Sequence, residues 1–522
     1  MIAMKRFQAL WEEDRGSAIL FVAGSLVLLM GLAAMGTDLA WFYLNTSRVQ
    51  RAADASALGG VVWMPDDFGT ASATALSIAT QNGYEDGTDN AIVTPATVPG
   101  EQNQIQVTVE DTVPTFFLKA LGFDSMDITR SAVAEYIPPL KLGSPSNQFG
   151  NACDPAYEGD PGFPADCGDN FWANIHGKFT HTSFGDAYAG HCQGGTNDDP
   201  NCPANSIART SGYLYGIESS GSFTLQFVDL AFHNRSGSVL GTSDQHRTGD
   251  RGCEDGSWHG GATTSASCGP TMIVNLYAPD PTPLELSDNG SPVCTATVPP
   301  QPQIEEQVGG NGVPYSWQTP DGKPCWTQSG SGIWVVQVLH QDPGTSNDRA
   351  GLNRYSVRST SGQIYALRDF SIYNNASGST TSFHLAEVPD YYAGKTFVVE
   401  MFDPGEFNVD PDGPTGQLQI MGADGTVFDD GTCRVFERPT GDPDGPWSLI
   451  NTINTGSDCL EVTTEGEYNN QWLKFEIDLP TTYSCTTCWW KVNYVYPGGA
   501  SVSDTTTWRA YIVGNPIHLV GP

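Results

Sequence analysis

The residues best placed to do chemistry lie in Met401 to Pro414, MFDPGEFNVDPDGP, where Asp403, Glu406, Asn408, Asp410 and Asp412 crowd oxygen donors into one short stretch. Asn408, Asp410 and Asp412 alternate and Gly413 follows, the spacing that opens a calcium loop, because alternate side chains of a tight loop converge on one hard cation. The twelfth position counted from Asn408 is Gln419 rather than a bidentate Glu, which excludes an EF-hand. The expected site is a calcium loop at a strand edge, with Asp403, Asn408, Asp410 and Asp412 as ligands. The competing reading is turn chemistry, since Pro-Asp-Gly-Pro also recurs at Pro443 to Pro446.

Other reactive residue types yield weaker patterns. Cys485-Thr-Thr-Cys488 is the one C-x-x-C, but a redox thiol needs a helix N-terminus to lower its pKa, and the flanks DLPTTYS and WWKVNYVY are strand-like. It is expected to be a hairpin clip. His176, His181 and His191 match neither H-E-x-x-H nor any helical pair. There is no G-x-S-x-G for a nucleophile elbow and no G-x-x-x-x-G-K-[ST] for a nucleotide. Exposed tryptophans such as Trp172, Trp258, Trp326 or Trp490 would be the platform for a sugar, although Trp is more commonly core.

The elements that must position these residues are mostly strands. SFTLQFVD, TMIVNLY, GIWVVQVLH, TFVVEMFD, LKFEIDL and WWKVNYVY alternate apolar and polar residues between turn clusters, the pattern of half-buried antiparallel sheets. In LKFEIDL, Leu473, Phe475, Ile477 and Leu479 face one way, and Lys474, Glu476 and Asp478 face water. FWANI at Phe171 followed by GSFTLQFVDLAF corresponds in order to FSIYN at Phe370 followed by GKTFVVEMFDPGE, a faint internal repeat. The twelve cysteines begin at Cys153 and fall into near pairs: 153 with 167, 192 with 202, 253 with 268, 294 with 325, 433 with 459, and 485 with 488. An even number confined to the body suits an oxidising compartment and local staples.

Upstream, Ser17 to Leu44 is one apolar run broken only by Asp38. At about 1.5 Å per residue, roughly twenty residues cross a bilayer, so Ser17 to Thr37 can span. Phe42, Thr46, Val49, Ala53, Ala57 and Gly60 continue the helical period beyond it. A turn at Met64 to Asp67, a helix ASATALSIATQNG ending at Gly83, a strand QIQVTVED, a short helix PTFFLKALG and a strand SMDITRSAVAEYI then make a small α+β module. The net charge of −35 lies after residue 60, because the first sixty residues hold five basic and five acidic side chains. A body so acidic repels nucleic acid, so no nucleic-acid partner is expected.

The string DRGSAILFVAGSLVLLMGLAAMGTDLAWFYLNTSRVQRAADASALGG resembles the N-terminal segment of TadE/TadG-like proteins of Tad (Flp-type) pilus systems. Gln50 to Gly60, QRAADASALGG, carries the likeness most closely, and VPTFFLKALG with ITRSAVAEY resembles the module that follows. The likeness spans about residues 14–136. It implies an anchor partnered by other pilus or envelope proteins. Pilins of such systems are cut after a Gly and carry an acid five positions on; after Gly16 that position is Phe21, so an uncleaved anchor is expected. Asp38 is expected at the outer membrane interface, solvated by water or a headgroup.

The fold class expected is α+β then all-β: a long N-terminal transmembrane helix, a small α+β module and two disulfide-stapled antiparallel β-sandwich (jelly-roll-like) domains. The segments are 1–16 cytoplasmic, 17–62 transmembrane and continuing helix, 63–137 module, 138–360 first sandwich and 361–522 second. The expected protein is a single-pass membrane protein held by residues 17–44, with a cytoplasmic N-terminus and a body at the cell surface. Its expected role is structural or adhesive and non-catalytic, with calcium as the one cofactor carried and glycans or host or abiotic surfaces as further partners. A tethered carbohydrate-binding or hydrolytic protein, and a filament or surface-layer subunit packed through Gly24, Gly31, Ala33, Ala34 and Gly36, are the alternatives.

Overall fold

The computed structural model describes residues 14–65, 67–151, 171–176, 182, 185–189, 211–229, 271–280, 282–298, 317–341, 352–377, 380–404, 416–425, 427–428, 432–437, 448–453, 461–462, 468, 471–495 and 501–520. Two compact units emerge, Met1–Pro138 with Gly514–Pro522, and Pro139–Val513. The helices are α1 (Asp14–Gly60) and α2 (Phe68–Gln81). The strands are β1 (Ile92–Val98), β2 (Glu101–Pro114), β3 (Ser125–Tyr136), β4 (Gln148–Phe149), β5 (Trp172–His176), β6 (Tyr213–Asp229), β7 (Thr271–Tyr277) and β8 (Cys294–Val298). They continue as β9 (Thr327–Gln341), β10 (Leu352–Ser359), β11 (Gln363–Ala366), β12 (Asp369–Ser377), β13 (Thr380–Glu387), β14 (Thr396–Phe402), β15 (Gly416–Met421) and β16 (Val427–Phe428). Last come β17 (Thr432–Glu437), β18 (Ser448–Ile453), β19 (Glu461–Val462), β20 (Trp472–Asp478), β21 (Trp489–Val495), β22 (Ser501–Ile512) and β23 (Ile517–Val520).

In the first unit α1 has two environments. From Ile19 to Leu39 its large apolar side chains are exposed, whereas Val49, Ala52, Ala53 and Ala57 are buried against α2 and the sheet β1-β2-β3-β23. Small residues make that packing close: a Cβ on Gly60 would come within 2.8 Å of the Ala71 carbonyl oxygen, and the facing stripe of α2 is Ala71, Ala75 and Ala79. Helix α2 begins earlier than its apolar pattern suggests, because Asp67 caps it, its carboxylate accepting from the Thr70 N–H (2.9 Å) and hydroxyl (2.6 Å). Those two bonds hold the Asp67 carboxyl below its ordinary pKa. The C-terminal strand β23 pairs with β3, and His518 Nε2 lies 3.1 Å from the buried Glu135 carboxylate. Residues 517–520 thus lie in the sheet of this module.

Among the described residues of the second unit every strand pairing is antiparallel. Its large sheet runs β18-β17-β20-β14-β22-β12-β5-β10-β6-β9-β7-β8. The strands of this path after residue 360 fill one half and those before it the other, and the halves join where β12 pairs with β5 through Ile372 opposite Ala173 and Tyr373 opposite Trp172. The two copies of the faint repeat therefore meet edge to edge. The boundary between 138–360 and 361–522 falls between halves of one sheet, where two edge strands that each expose a row of amides have paired. A five-stranded sheet, β13-β21-β15-β16 with β19 beside β15, brings Phe383 and Tyr494 against the large sheet. There Phe383 meets Phe171, Phe370 and Trp508 ring to ring at 5.3–6.3 Å.

Two of the expected disulfides lie among the described residues, Cys294–Cys325 and Cys485–Cys488. Cys294–Cys325 ties the start of β8 to the turn before β9, closing a loop worth about 3–4 kcal/mol in the chain-entropy model. Cys485–Cys488 clips the connection between β20 and β21, which lie in different sheets, so it is a crossover clip rather than a hairpin clip.

Candidate functional site

Asp38 lies one residue past the stretch long enough to span a membrane, and its side chain is fully buried. Helix α1 points it at the turn after β2. Its Oδ1 accepts the Phe116 N–H at 2.8 Å, and its Oδ2 accepts the Phe117 and Leu118 N–H groups at 2.9 and 2.6 Å. Local sequence creates the need for that acceptor. Pro114 ends β2, Leu118–Leu121 forms a single 3-10 turn, and the first amides of any helical turn lack an internal partner. Gly122, at φ 92°, then takes the left-handed conformation that closes the turn. Trp41, a helical turn beyond Asp38, meets the Phe116 ring edge-on at 5.5 Å, and the Arg48 guanidinium lies 5.9 Å from the same indole. The expectation that water or a headgroup solvates Asp38 is corrected: the chain's own backbone does so.

The body holds a second concentration of charge. Five residues stand opposite one another across β17, β20, β14, β22 and β12, in the order Arg434, Lys474, Glu400, Arg509, Asp369. Strand alternation puts all five on the face opposite Met401, Leu473 and Trp508, which are core. Arg509 reaches Glu400 at 3.4 Å and Asp369 at 3.7 Å, and both acids are buried. Tyr511 donates to Glu400 at 2.8 Å, Tyr188 donates to Asp369 at 2.8 Å, and Arg509 donates to the Tyr188 oxygen at 2.7 Å. Asp186 extends the network, accepting from Tyr213 at 2.7 Å and from the His176 and Tyr188 N–H groups at 2.9 Å. Burial opposes the Arg509 charge, but Tyr188, Asp369 and Glu400 outweigh it and hold the guanidinium above its ordinary pKa. Burial and then Asp186 push the Tyr213 hydroxyl well up. Lys474 and Arg434 meet Glu476 at 2.8 and 3.1 Å at the more exposed end. Lys474 and Glu476 are thus members of an ionic lattice, not merely water-facing residues. Each carboxylate is held by named donors, and the chemistry of the arrangement is charge balance between strands.

The residues singled out from sequence are placed as follows. Asp403 follows β14 with its side chain buried, a left-handed φ of 60° and its N–H donating to the Gln471 carbonyl at 2.9 Å. Asn408, Asp410 and Asp412 lie outside the described residues, as do His181, His191 and Trp258. Among the described residues no group of three His, Cys, Asp or Glu side chains converges to hold a metal. His176 is buried in β5. Trp172, Trp326 and Trp490 are buried as well, which corrects their reading as exposed sugar platforms. The Trp326 and Trp490 Nε1–H groups are spent on Asp321 at 2.6 Å and the Tyr483 hydroxyl at 3.0 Å.

The clasp and the charged row were both missed in sequence. For the row a signal existed, Glu400 and Arg509 set singly among apolar residues; for the clasp the sequence offered only the acid that interrupts the apolar run. With this geometry in hand, the comparisons concern the N-terminus. Residues 16–64 match the family model described as Tad, putative Flp pilus-assembly TadE/G-like. No curated protein matches the chain.

Proposed function

We propose that this TadE/G-like chain is a membrane-anchored, extracytoplasmic scaffold of a pilus or cell-surface system, structural or adhesive and non-catalytic. One observation carries the reading: α1 is a single helix whose first half exposes apolar side chains from Ile19 to Leu39 while its second half is core of the module. A helix with an unpaired apolar half about 30 Å long has a bilayer as its natural solvent. The TadE/G-like match over residues 16–64 supports pilus or envelope proteins as partners. Disulfides in the body support an oxidising compartment, and so an outward body with a cytoplasmic N-terminus. We read the two packed sheets as a β-sandwich of jelly-roll type, which presents loops rather than a cleft, and we retain calcium at the Asp403 loop as a proposal.

Separation of membranes from sheared filaments, followed by mass spectrometry of the N-terminal peptide, tests the function. Peptides upstream of Gly16 retained on membrane-bound protein support the anchor. A chain beginning at Ser17 and recovered in filaments replaces the anchor with a filament subunit.

A further inference from the structure

We propose that the turn between β2 and β3, residues 114–124, is a second membrane contact that rests in the headgroup and upper acyl region of the leaflet that α1 leaves; this rests on the anchoring reading above. Phe116, Phe117, Leu121 and Phe123 are 49%, 52%, 69% and 61% exposed, an apolar tip with Lys119 as its single cation. An apolar tip alone would not identify its occupant. Its polar groups do.

Seven amides of the turn have partners inside the protein. Asp38 takes the amides of Phe116, Phe117 and Leu118. The Ala120 N–H donates to the Phe117 carbonyl, Gly122 to Lys119 and Phe123 to Leu118, at 3.0–3.2 Å. Thr115 uses its N–H for the Asp124 carbonyl and its hydroxyl for that of Phe123. Irregular backbone enters a membrane only when its polar groups are satisfied internally, and these seven amides meet that condition while the apolar side chains of the turn are exposed. A solvent-exposed loop has no such need.

The tip is also continuous with the spanning surface. Asp38 fixes it to α1 at the point where the apolar run ends, beside the exposed Leu39 and Tyr43, and Trp41 touches Phe116. Trp and Tyr at this level and a Lys able to reach lipid phosphates are the residues that favour the interface. Asp38 is therefore a positioning residue: it neutralises three amides and sets the depth of the tip relative to the helix.

The test uses the full chain reconstituted in vesicles of phosphatidylethanolamine and phosphatidylglycerol, with one environment-sensitive fluorescent amino acid in place of Phe117, Leu121, Leu28 or Glu101 and with lipids spin-labelled at shallow or deep acyl positions. Probes at 117 and 121 are expected to be quenched about twofold or more strongly by the shallow label than by the deep one, the probe at 28 in the reverse order, and the probe at 101, at the far end of β2, by neither. If 28 is quenched and 117 and 121 are not, the turn is no membrane contact while the anchor stands. If 28 is also unquenched, the anchoring reading falls with it. A photoreactive residue at 117 that crosslinks to a second copy of the chain instead of to lipid likewise overturns the proposal.

Discussion

Asp38 in the first unit and Glu400 and Asp369 in the body are buried carboxylates neutralised by opposite means. In the module Asp38 is held by three peptide N–H groups and no side chain takes part in those bonds. In the body Glu400 of β14 and Asp369 of β12 are held by side chains, Arg509 and Tyr511 of β22 and Tyr188 of a turn. The difference follows from the surroundings. At the end of an apolar helix a guanidinium would itself need solvent, whereas amides that lack partners gain as much from the acid as it gains from them. Inside a wide sheet, ion pairs tie several strands in one register, and a one-residue slip would separate every pair at once.

Removing the centre of each arrangement should separate the two mechanisms, with the greater effect in the body. Arg509→Met leaves Glu400 and Asp369 buried without their cation, and the melting transition of the body is expected to drop by about 3–5 kcal/mol. A neutral result would mean that the tyrosines suffice. Asp38→Ala orphans three amides, with an expected loss of about 2–3 kcal/mol confined to the module and faster hydrogen exchange at Phe116, Phe117 and Leu118. Unchanged exchange there would show that the clasp contributes nothing.

The body should also respond to acid through groups outside the ionic row. His340 donates from Nε2 to the Ile175 carbonyl at 3.0 Å, and burial lowers its pKa to about 4, while burial and the nearby Arg354 hold His176 well below its ordinary value. Both rings are neutral when folded. For His340, below about pH 6.5 the unfolded chain takes up a proton that the folded chain refuses until about pH 4, so this contribution to stability is full above the window and is lost as pH drops through it. His340→Gln is expected to flatten that slope by about 2 kcal/mol, read from melting temperatures across the window. A smaller effect belongs to the module alone: Gly60→Ala presses a methyl on the Ala71 carbonyl and should cost about 1–2 kcal/mol without touching the body's transition.

Much of the module was legible because its patterns are local. The step from Val49 to Gly60, the Gly-rich close of the helix and the PTFFLKALG turn each announce themselves within a dozen residues. What Asp38 does was hidden, since its partners Phe116, Phe117 and Leu118 lie 78 to 80 residues away and contribute backbone, which sequence does not display. In the body the strands were readable from alternation, and the segments FWANI and FSIYN fall on β5 and β12, which pair. Their fusion into one sheet was not readable, because edge pairing depends on which amides remain open and not on side-chain pattern. The tryptophans misled for the same reason: Trp172 and Trp326 carry no local mark of burial, and only strand order puts them inside.

The central claim is one helix with two solvents, lipid as far as Asp38 and protein beyond it. Protease added to the outer face of intact spheroplasts, followed by alkaline extraction of the membranes, tests it directly. The account predicts that the disulfide-bearing body is removed and that a fragment containing residues 17–37 stays in the alkali-resistant membrane. A body fully protected from the outside, or a chain released intact by alkali, would contradict it.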